Sequence, residues 1–244
     1  MTLDAAEAVL FDLGGTCVQI DHGFVAERVA ARGPAPEAGW AARGEREGRR
    51  VMEERLRAGR SSDDQWRGFF DGMLTAAGAD PAHHDAIFEE LVAFHRRHHL
   101  WRKVMPGMPE TLRGLLERGY RVAAISNSDG RAEAMLATLG FAHEFEFVLD
   151  SKDLGVEKPD PRIFHDACAR LGLPPARCAY VGDVVAIDVE GARAAGLHPV
   201  LFDAYGSYDA ATSGGAPRAA EPAQLLGLFP DRRHELTRRR SAPR

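Results

Sequence analysis

The stretch VLFDLGGTCV, residues 9–18, joins a short apolar run to an aspartate and a pair of glycines. Its apolar residues predict a buried strand over residues 8–12, so that Asp12 stands at the carboxyl end of that strand. In parallel α/β sheets, functional groups gather beyond the carboxyl ends of the strands. A carboxylate that attacks a substrate usually works with a second group that moves protons. Two residues further on, where such a group would stand, the chain has Gly14.

Downstream of residue 105 the sequence alternates between helical segments and short apolar strands. The predicted strands are residues 120–126, 145–150, 178–183 and 198–203, and the helices between them stop at Gly119, Gly140, Gly172 and Gly196. This alternation predicts right-handed crossovers and a parallel sheet with helices on both faces. The fold class is therefore α/β.

Between the first strand and this run lies a long helical segment. Residues 22–100 contain helix starts at Ser61 and Ser62 and at Asp80 followed by Pro81. We expect a discontinuous α/β core made of residues 1–20 and 103–206, with residues 21–102 as an inserted helical cap over the strand ends. Residues 207–244 are expected to form a connector, a short helix at 223–229 and a disordered basic tail.

Polar side chains follow several of the predicted strands and are expected to meet at one sheet edge. They are Asp12, Ser126, Asn127, Lys158, Asp183 and Asp188. Asp12 and Asp183 are hard oxygen ligands suited to Mg²⁺. Lys158 is suited to neutralising a phosphoryl group, and Ser126 with nearby backbone N–H groups is suited to holding its oxygens.

Four motifs in order carry a family resemblance: D-x-x-G-T at residue 12, hydrophobic-S-N at residue 126, K-P-D-P at residue 158 and G-D-x-x-x-x-D at residue 182. Over residues 8–203 the chain resembles the haloacid dehalogenase superfamily, with a Rossmann-like parallel sheet and a C1-type helical cap. The resemblance implies that Asp12 is the nucleophile and that Thr16 orients it. It implies phosphate binding by Ser126, Asn127 and Lys158.

The same resemblance implies a Mg²⁺ cofactor held by Asp12, by the Gly14 carbonyl and by Asp183 and Asp188. Most phosphatases of the superfamily carry an aspartate as general acid and base where this chain has Gly14. Glycine retains the main-chain carbonyl that contacts the metal and loses the proton-transfer group. The expected function is a Mg²⁺-dependent phosphatase that acts on a small phosphorylated metabolite through an aspartyl-phosphate and favours good leaving groups.

Members without that aspartate include two other chemistries. Phosphonoacetaldehyde hydrolases form an imine with a cap lysine, but the three lysines here are Lys103, Lys152 and Lys158, and residues 18–102 contain none. Dehalogenases need neither a metal nor the acidic pair Asp183 and Asp188. Two alternatives to the phosphatase stay open: a non-catalytic protein that binds a phosphorylated ligand or a partner, and a dehalogenase-like hydrolase.

Composition limits the partners and the cellular compartment that we expect for the protein. The chain has 244 residues, 45% of them hydrophobic, and a formal charge of −5, which gives no reason to expect a nucleic-acid partner. Its three cysteines fit no disulfide or metal framework, so a reducing cytoplasm is expected. Neither a signal peptide nor a membrane span is predicted, and the protein is expected to be a monomer or a homodimer.

Two polar patterns in the predicted cap allow more than one interpretation. His95, His98 and His99 have a helical metal-ligand spacing, but no acidic or cysteine partner lies in the same turn, so a structural role is favoured. Residues 42–60 alternate arginine and glutamate, with Glu45–Arg49 and Glu53–Arg57 at i, i+4. A solvated helix face is favoured there over a patch that captures an anionic substrate.

Overall fold

The protein is an α/β chain, and a computed structural model describes its residues 3–233. The strands are β1 Ala8–Phe11, β2 Val18–Ile20, β3 Trp101–Val104, β4 Arg121–Ser126, β5 Val148–Asp150, β6 Cys178–Gly182, β7 His198–Phe202 and β8 Arg218–Ala219. The helices are α1 His22–Ala30, α2 Trp40–Arg57, α3 Ser62–Ala76, α4 His84–His98, α5 Met108–Glu117, α6 Ala132–Leu139, α7 Ser151–Leu154, α8 Pro161–Leu171, α9 Glu190–Ala194 and α10 Pro222–Leu228.

Six of the strands form one parallel sheet in the order β5-β4-β1-β6-β7-β8. β1 is fully buried, as expected for an apolar strand that has neighbours on both sides and helices on both faces. In the register, Phe11 is opposite Ala124 of β4 and Val181 of β6. The carboxyl ends of β1, β4 and β6 therefore lie side by side, which confirms the predicted α/β fold class.

The helices that connect these strands begin and end where local sequence favours it. In α8, the Asp160 side chain accepts a hydrogen bond from the Arg162 N–H, Pro161 occupies the first turn, and Gly172 ends the helix at φ 61°. The inward face of α8 packs Ile163 and Phe164 against Leu10 and Tyr180 in one core cluster. This packing fixes the loop before α8, which carries Lys158, relative to the sheet.

By its internal contacts the chain divides into two units. Among the described residues, the first contains 3–18, 104–203 and 210–233 and holds the six-stranded sheet. The second contains residues 19–103, with helices α1 to α4, together with residues 204–209. The chain passes between them through β2 and β3, which form a separate two-stranded sheet. The sequence analysis assigned residues 204–206 to the core and 207–209 to the connector, so the structure divides the chain differently there.

Helices α2 and α3 of the second unit approach each other closely through glycines. A Cβ atom at Gly48 would lie 2.7 Å from the Phe69 carbonyl oxygen, and one at Gly72 would lie 2.7 Å from the Glu47 carbonyl oxygen. Gly44 and Gly68 are the partners of these residues at i−4 within each helix. Two Gly-x-x-x-Gly segments therefore face each other, and backbone meets backbone at the contact.

The solvated-face interpretation of residues 42–60 is wrong for part of α2. Glu45 and Arg49 are 2% and 3% exposed, and an Arg49 guanidinium N–H donates to the Glu45 carboxylate over 2.8 Å. The pairing itself was predicted, but it lies inside the unit. Arg50, with its partners Glu47 and Glu54, has the exposed position that the interpretation assigned to the whole face.

The predicted strands agree with β1, β4, β5, β6 and β7, and the predicted last helix agrees with α10. β2, β3 and β8 were not predicted; they are two to four residues long and pair with distant segments. The tail predicted to be disordered, residues 237–244, lies outside the described residues. Across the described chain, no helix combines the length and apolar character needed to cross a membrane.

Candidate active site

The turn after β1 places Asp12 and Thr16, two of the predicted site residues. Asp12 continues β1, and its N–H donates to the Val181 carbonyl over 2.8 Å. Gly15 has φ 85°, a left-handed conformation that favours glycine, and its N–H donates to the Val18 carbonyl. The Thr16 hydroxyl donates to the Asp183 carboxylate over 3.3 Å. Thr16 thus contacts Asp183, whereas the resemblance implied that it orients Asp12.

Lys158 lies at the centre of the site with its side chain only 2% exposed. Its ammonium donates to Asp12 Oδ1 over 2.5 Å, to the Tyr180 hydroxyl over 2.7 Å and to Asp188 Oδ1 over 2.8 Å. An ammonium has three N–H donors, so each donor has one acceptor. The predicted phosphate-binding lysine is therefore held directly beside the predicted nucleophile.

Asp188 organises the loop that follows β6. Its Oδ2 accepts hydrogen bonds from the backbone N–H groups of Asp183 and Val184, and its Oδ1 accepts from Lys158 and Tyr180. A single π-helical turn, Val185–Val189, returns Asp188 to this position. Gly182 permits the approach, because a Cβ atom there would lie 2.4 Å from Asp188 Cγ.

Three buried carboxylates come together around this lysine. One oxygen from each of Asp12, Asp183 and Asp188 lies within 4.8 Å of the others, the arrangement of a possible cation site. Burial raises the pKa of Asp12 to about 7 against the attraction of Lys158, and the charges of Asp188 and Asp183 also raise it. Burial alone would lower the pKa of Lys158, but Asp12 and Asp188 outweigh it and keep that pKa above its usual value. The lysine stays charged, and the cluster retains negative charge in excess.

Ser126 and Asn127 follow β4 at the same sheet edge. Ser126 is buried and pairs in register with Asp150 of β5. The Asn127 side-chain amide bonds to the backbone of Lys158 on both sides: its Oδ1 accepts from the Lys158 N–H over 2.8 Å, and its Nδ2 donates to the Lys158 carbonyl over 2.9 Å. The side chain predicted to bind substrate is therefore engaged in holding the lysine loop.

Two residues that the sequence analysis did not single out also build this site. The Tyr180 hydroxyl lies beneath the cluster, beside both Lys158 and Asp188. Asp150, at the end of β5, accepts hydrogen bonds from the N–H groups of Gly130 and Ala132 and so shapes the loop after Ser126. Asp150 could have been noticed as one more strand-end acid, whereas a tyrosine within an apolar strand gives no such signal.

The second unit holds the first acid and the first histidine that follow the D-x-x-G-T motif, Asp21 and His22. Asp21 caps α1 and accepts from Arg102 over 2.8 Å. Burial raises its pKa, but hydrogen bonds from Arg102 and Phe24 and the charges of Lys103 and Arg102 together lower it. Asp21 is therefore ionised at neutral pH and holds no proton to donate. His22 Nε2 lies 2.6 Å from the buried carboxylate of Glu45.

His95 has the structural role that the sequence analysis favoured. Its Nδ1 accepts a hydrogen bond from the Leu100 N–H over 3.2 Å, and its ring packs against Trp66 and Trp101. Among the described residues, the acids around Lys158 form the one group of potential metal ligands, and the histidines at the end of α4 do not belong to it.

The fold of the chain agrees with that of a known family. Residues 6–196 match the model of the haloacid dehalogenase-like hydrolases, so the chain belongs to that family. A bovine (Bos taurus) haloacid dehalogenase-like hydrolase domain-containing protein 3 is 35% identical over 173 residues, which are 70% of this chain and 68% of that one.

Two further likenesses bear on the activity and the fold. A glyceraldehyde 3-phosphate phosphatase of Methanopyrus kandleri is 36% identical over 129 residues, 52% of this chain and 55% of its own length. This chain spans about half the length of several curated relatives that it matches. A solved dehalogenase with an intermediate complex superposes with TM-score 0.65 at 21% identity, covering 93% of this chain and 98% of that one, which shows the fold alone.

Proposed function

We propose that this hydrolase is a Mg²⁺-dependent phosphatase that acts on a small phosphorylated metabolite through an aspartyl-phosphate on Asp12. The observation that carries the proposal is the group of three buried carboxylates around a single lysine. Phosphatases among its relatives support the choice of substrate class. A cytoplasmic setting and a monomeric or homodimeric state, both expected from the sequence, stay predictions.

The charge balance of the cluster supports a divalent cation. Three carboxylates and one ammonium leave an excess of negative charge. A phosphate ester would add more negative charge, and burial makes that repulsion stronger than it would be in water. Asp12, Asp183 and the Gly14 carbonyl would hold Mg²⁺, whose preferred ligands are oxygens. Direct ligation by Asp188 stays a prediction, because its oxygens already accept four hydrogen bonds.

The bound cation would neutralise charge on the transferring phosphoryl group. The chain's own residues do the rest. An Asp12 carboxylate oxygen attacks phosphorus, forms an acyl-phosphate bond and displaces the leaving oxygen with its electron pair. The Lys158 ammonium and the Ser126 hydroxyl hold the non-bridging oxygens as the charge shifts. Water then attacks the acyl phosphate and returns Asp12 and inorganic phosphate.

Gly14 limits both half-reactions because it carries no acid to protonate the leaving oxygen and no base to activate water. A positioned acid–base group typically contributes about 10²–10⁴ in rate. Phenolates and carboxylates leave without protonation, whereas alkoxides do not. The site is therefore suited to aryl and acyl phosphates more than to sugar phosphates.

A panel of phosphomonoesters assayed with and without Mg²⁺ tests the proposal. We expect Mg²⁺-dependent release of phosphate, fastest for aryl and acyl phosphates. A folded protein that binds phosphate esters without turnover would favour the non-catalytic alternative. Halide release from a 2-haloacid without metal would favour the dehalogenase-like alternative. The excess negative charge of the cluster argues against that alternative, because dehalogenation needs no cation and would leave the excess charge unbalanced.

A further inference from the structure

The three N–H donors of the Lys158 ammonium have two kinds of acceptor. Tyr180 on β6 and Asp188 on the following turn accept two of them, and both acceptors belong to the buried frame beneath the site. The third N–H donates to Asp12. Asp12 is the group that would carry the phosphoryl under the proposed function.

An ammonium is tetrahedral, so two fixed donors determine the direction of the third. The Cε–Nζ bond and a hydrogen bond to Asp188 already set the rotation of the ammonium, but the flexible four-carbon chain can still shift Nζ while that one bond is kept. The Tyr180 hydroxyl supplies the second fixed point. The phenol is neutral near pH 7, so its oxygen can accept from Lys158 while its own proton lies towards the Ile125 carbonyl or Asp188.

We infer that Tyr180 is a positioning residue: its hydroxyl, as a second fixed acceptor beside Asp188, holds the Lys158 ammonium in place so that one N–H points at the phosphoryl group on or near Asp12. The inference rests on the proposed function, in which Lys158 binds that group. Tyr180 itself does not touch the substrate. It acts through Lys158, and its effect is expected mainly where that ammonium stabilises the reacting group most, in the transition state.

The test compares four variants in the full chain: Tyr180→Phe, Lys158→Met, the double variant that combines them, and a matched control, Tyr120→Phe. Tyr120 is also a buried tyrosine of the sheet-bearing unit, and its hydroxyl donates to the Pro230 carbonyl over 2.9 Å, away from Lys158. The readouts are kcat and KM for p-nitrophenyl phosphate, inhibition by orthovanadate with Mg²⁺ present, and the melting temperature. Orthovanadate is the probe because it takes the geometry of a phosphoryl group in transfer.

We expect Tyr180→Phe to lower kcat/KM by roughly tenfold to a hundredfold, mostly through kcat, and to weaken orthovanadate inhibition in parallel. Tyr120→Phe should lower the melting temperature similarly with unchanged kinetics. In the double variant, Tyr180→Phe should cause no loss of orthovanadate affinity beyond that of Lys158→Met. Tyr180 acts through the Lys158 ammonium, and that ammonium is already absent.

Three results would overturn the inference, and they separate it from the proposed function. If Lys158→Met loses activity and orthovanadate inhibition while Tyr180→Phe matches the wild type, the phosphatase stands and the positioning role fails. If Tyr180→Phe weakens inhibition equally with and without Lys158, the effect does not pass through the lysine. If Lys158→Met itself keeps wild-type activity and inhibition, the proposed role of Lys158 fails and the inference fails with it.

Discussion

Asp12 stands at the end of the buried central strand, 2.5 Å from the Lys158 ammonium. We expect Asp12→Asn to abolish hydrolysis of p-nitrophenyl phosphate, because an amide is a far weaker nucleophile than a carboxylate. The protein should remain folded by circular dichroism, since the substitution keeps the shape of the side chain. Wild-type turnover by the folded variant would show that the attacking group is another residue.

Asp183 is the acid to which Thr16 donates, and its carboxylate belongs to the group of potential cation ligands. Asp183→Asn should weaken Mg²⁺ binding by at least roughly tenfold, because a hard cation loses a charged oxygen ligand. Isothermal titration calorimetry measures this directly. Asp153→Asn, on the exposed side of α7, is the control and should bind Mg²⁺ as the wild type does. Equal affinity in all three proteins would mean that the cation site lies elsewhere.

Gly14 provides the sharpest test of how the site handles protons. The left-handed position in its turn is Gly15, so an aspartate at residue 14 does not have to adopt that conformation. Gly14→Asp should raise kcat for alkyl phosphates by a sizeable part of the 10²–10⁴ range and flatten the dependence on leaving-group pKa. A folded, Mg²⁺-binding variant without any gain would argue against this. So would a wild type that cleaves alkyl and aryl phosphates at similar rates.

The role of a single residue could be predicted only where the local sequence identifies it, by a motif or by a position after a predicted strand. Asp12, Lys158 and Asp183 follow predicted strands or lie in recognisable motifs, so their meeting at one edge follows from the topology. The engagement of Asn127 with the Lys158 backbone and the contact of Tyr180 with its ammonium join residues 31 and 22 positions apart. Such pairings depend on the exact packing of loops and strands, which periodicity does not describe.

At the level of elements, the contact between α2 and α3 is the feature that the sequence pattern concealed. The charged residues of α2 suggested a solvated helix, whereas its glycines allow the backbone of α2 to pack directly against α3. Helix propensity alone would favour alanine over glycine by about 1 kcal/mol. The close approach reverses this preference, because an added methyl group would have to push two backbones apart.

We therefore expect Gly48→Ala to lower the free energy of unfolding by about 1–3 kcal/mol, the usual cost of overpacking a tight contact. Gly33→Ala is the matched control within the same unit, since a Cβ atom there would meet nothing within 4 Å. Its effect should stay within about 0.5 kcal/mol. Urea denaturation measures both. A Gly48→Ala protein as stable as the wild type would show that the two helices have room to separate.

Length and local apolar character explain which strands could be predicted. β1, β4 and β6 are apolar runs long enough to stand out, and each is buried almost throughout. β8 has two residues and exists because it pairs with β7, so nothing local marks it. Capping residues marked the helix starts well: Ser61 and Asp80 both accept the expected backbone hydrogen bonds.

At the scale of the whole chain, residues 204–209 show how far sequence order can mislead. They follow the fifth predicted strand, yet they belong to the helical unit. Within that unit the Arg49 guanidinium lies 5.1 Å from the Tyr205 ring centroid, Arg46 donates to the Tyr205 carbonyl, and the Tyr208 hydroxyl donates to Glu53. Residues about 155 positions apart make these contacts, so the sequence assigned residues 204–206 to the core and 207–209 to the connector.

The most direct test of the whole account is to look for the phosphoryl group on Asp12. The wild type is mixed with an aryl phosphate and Mg²⁺, quenched in acid during turnover, digested and analysed by mass spectrometry. The account predicts one phosphoryl group on the peptide that contains Asp12, accumulating because Gly14 supplies no base for its hydrolysis and decreasing in Gly14→Asp. A wild type that turns over with this peptide unmodified, or with the label on another residue, would contradict it.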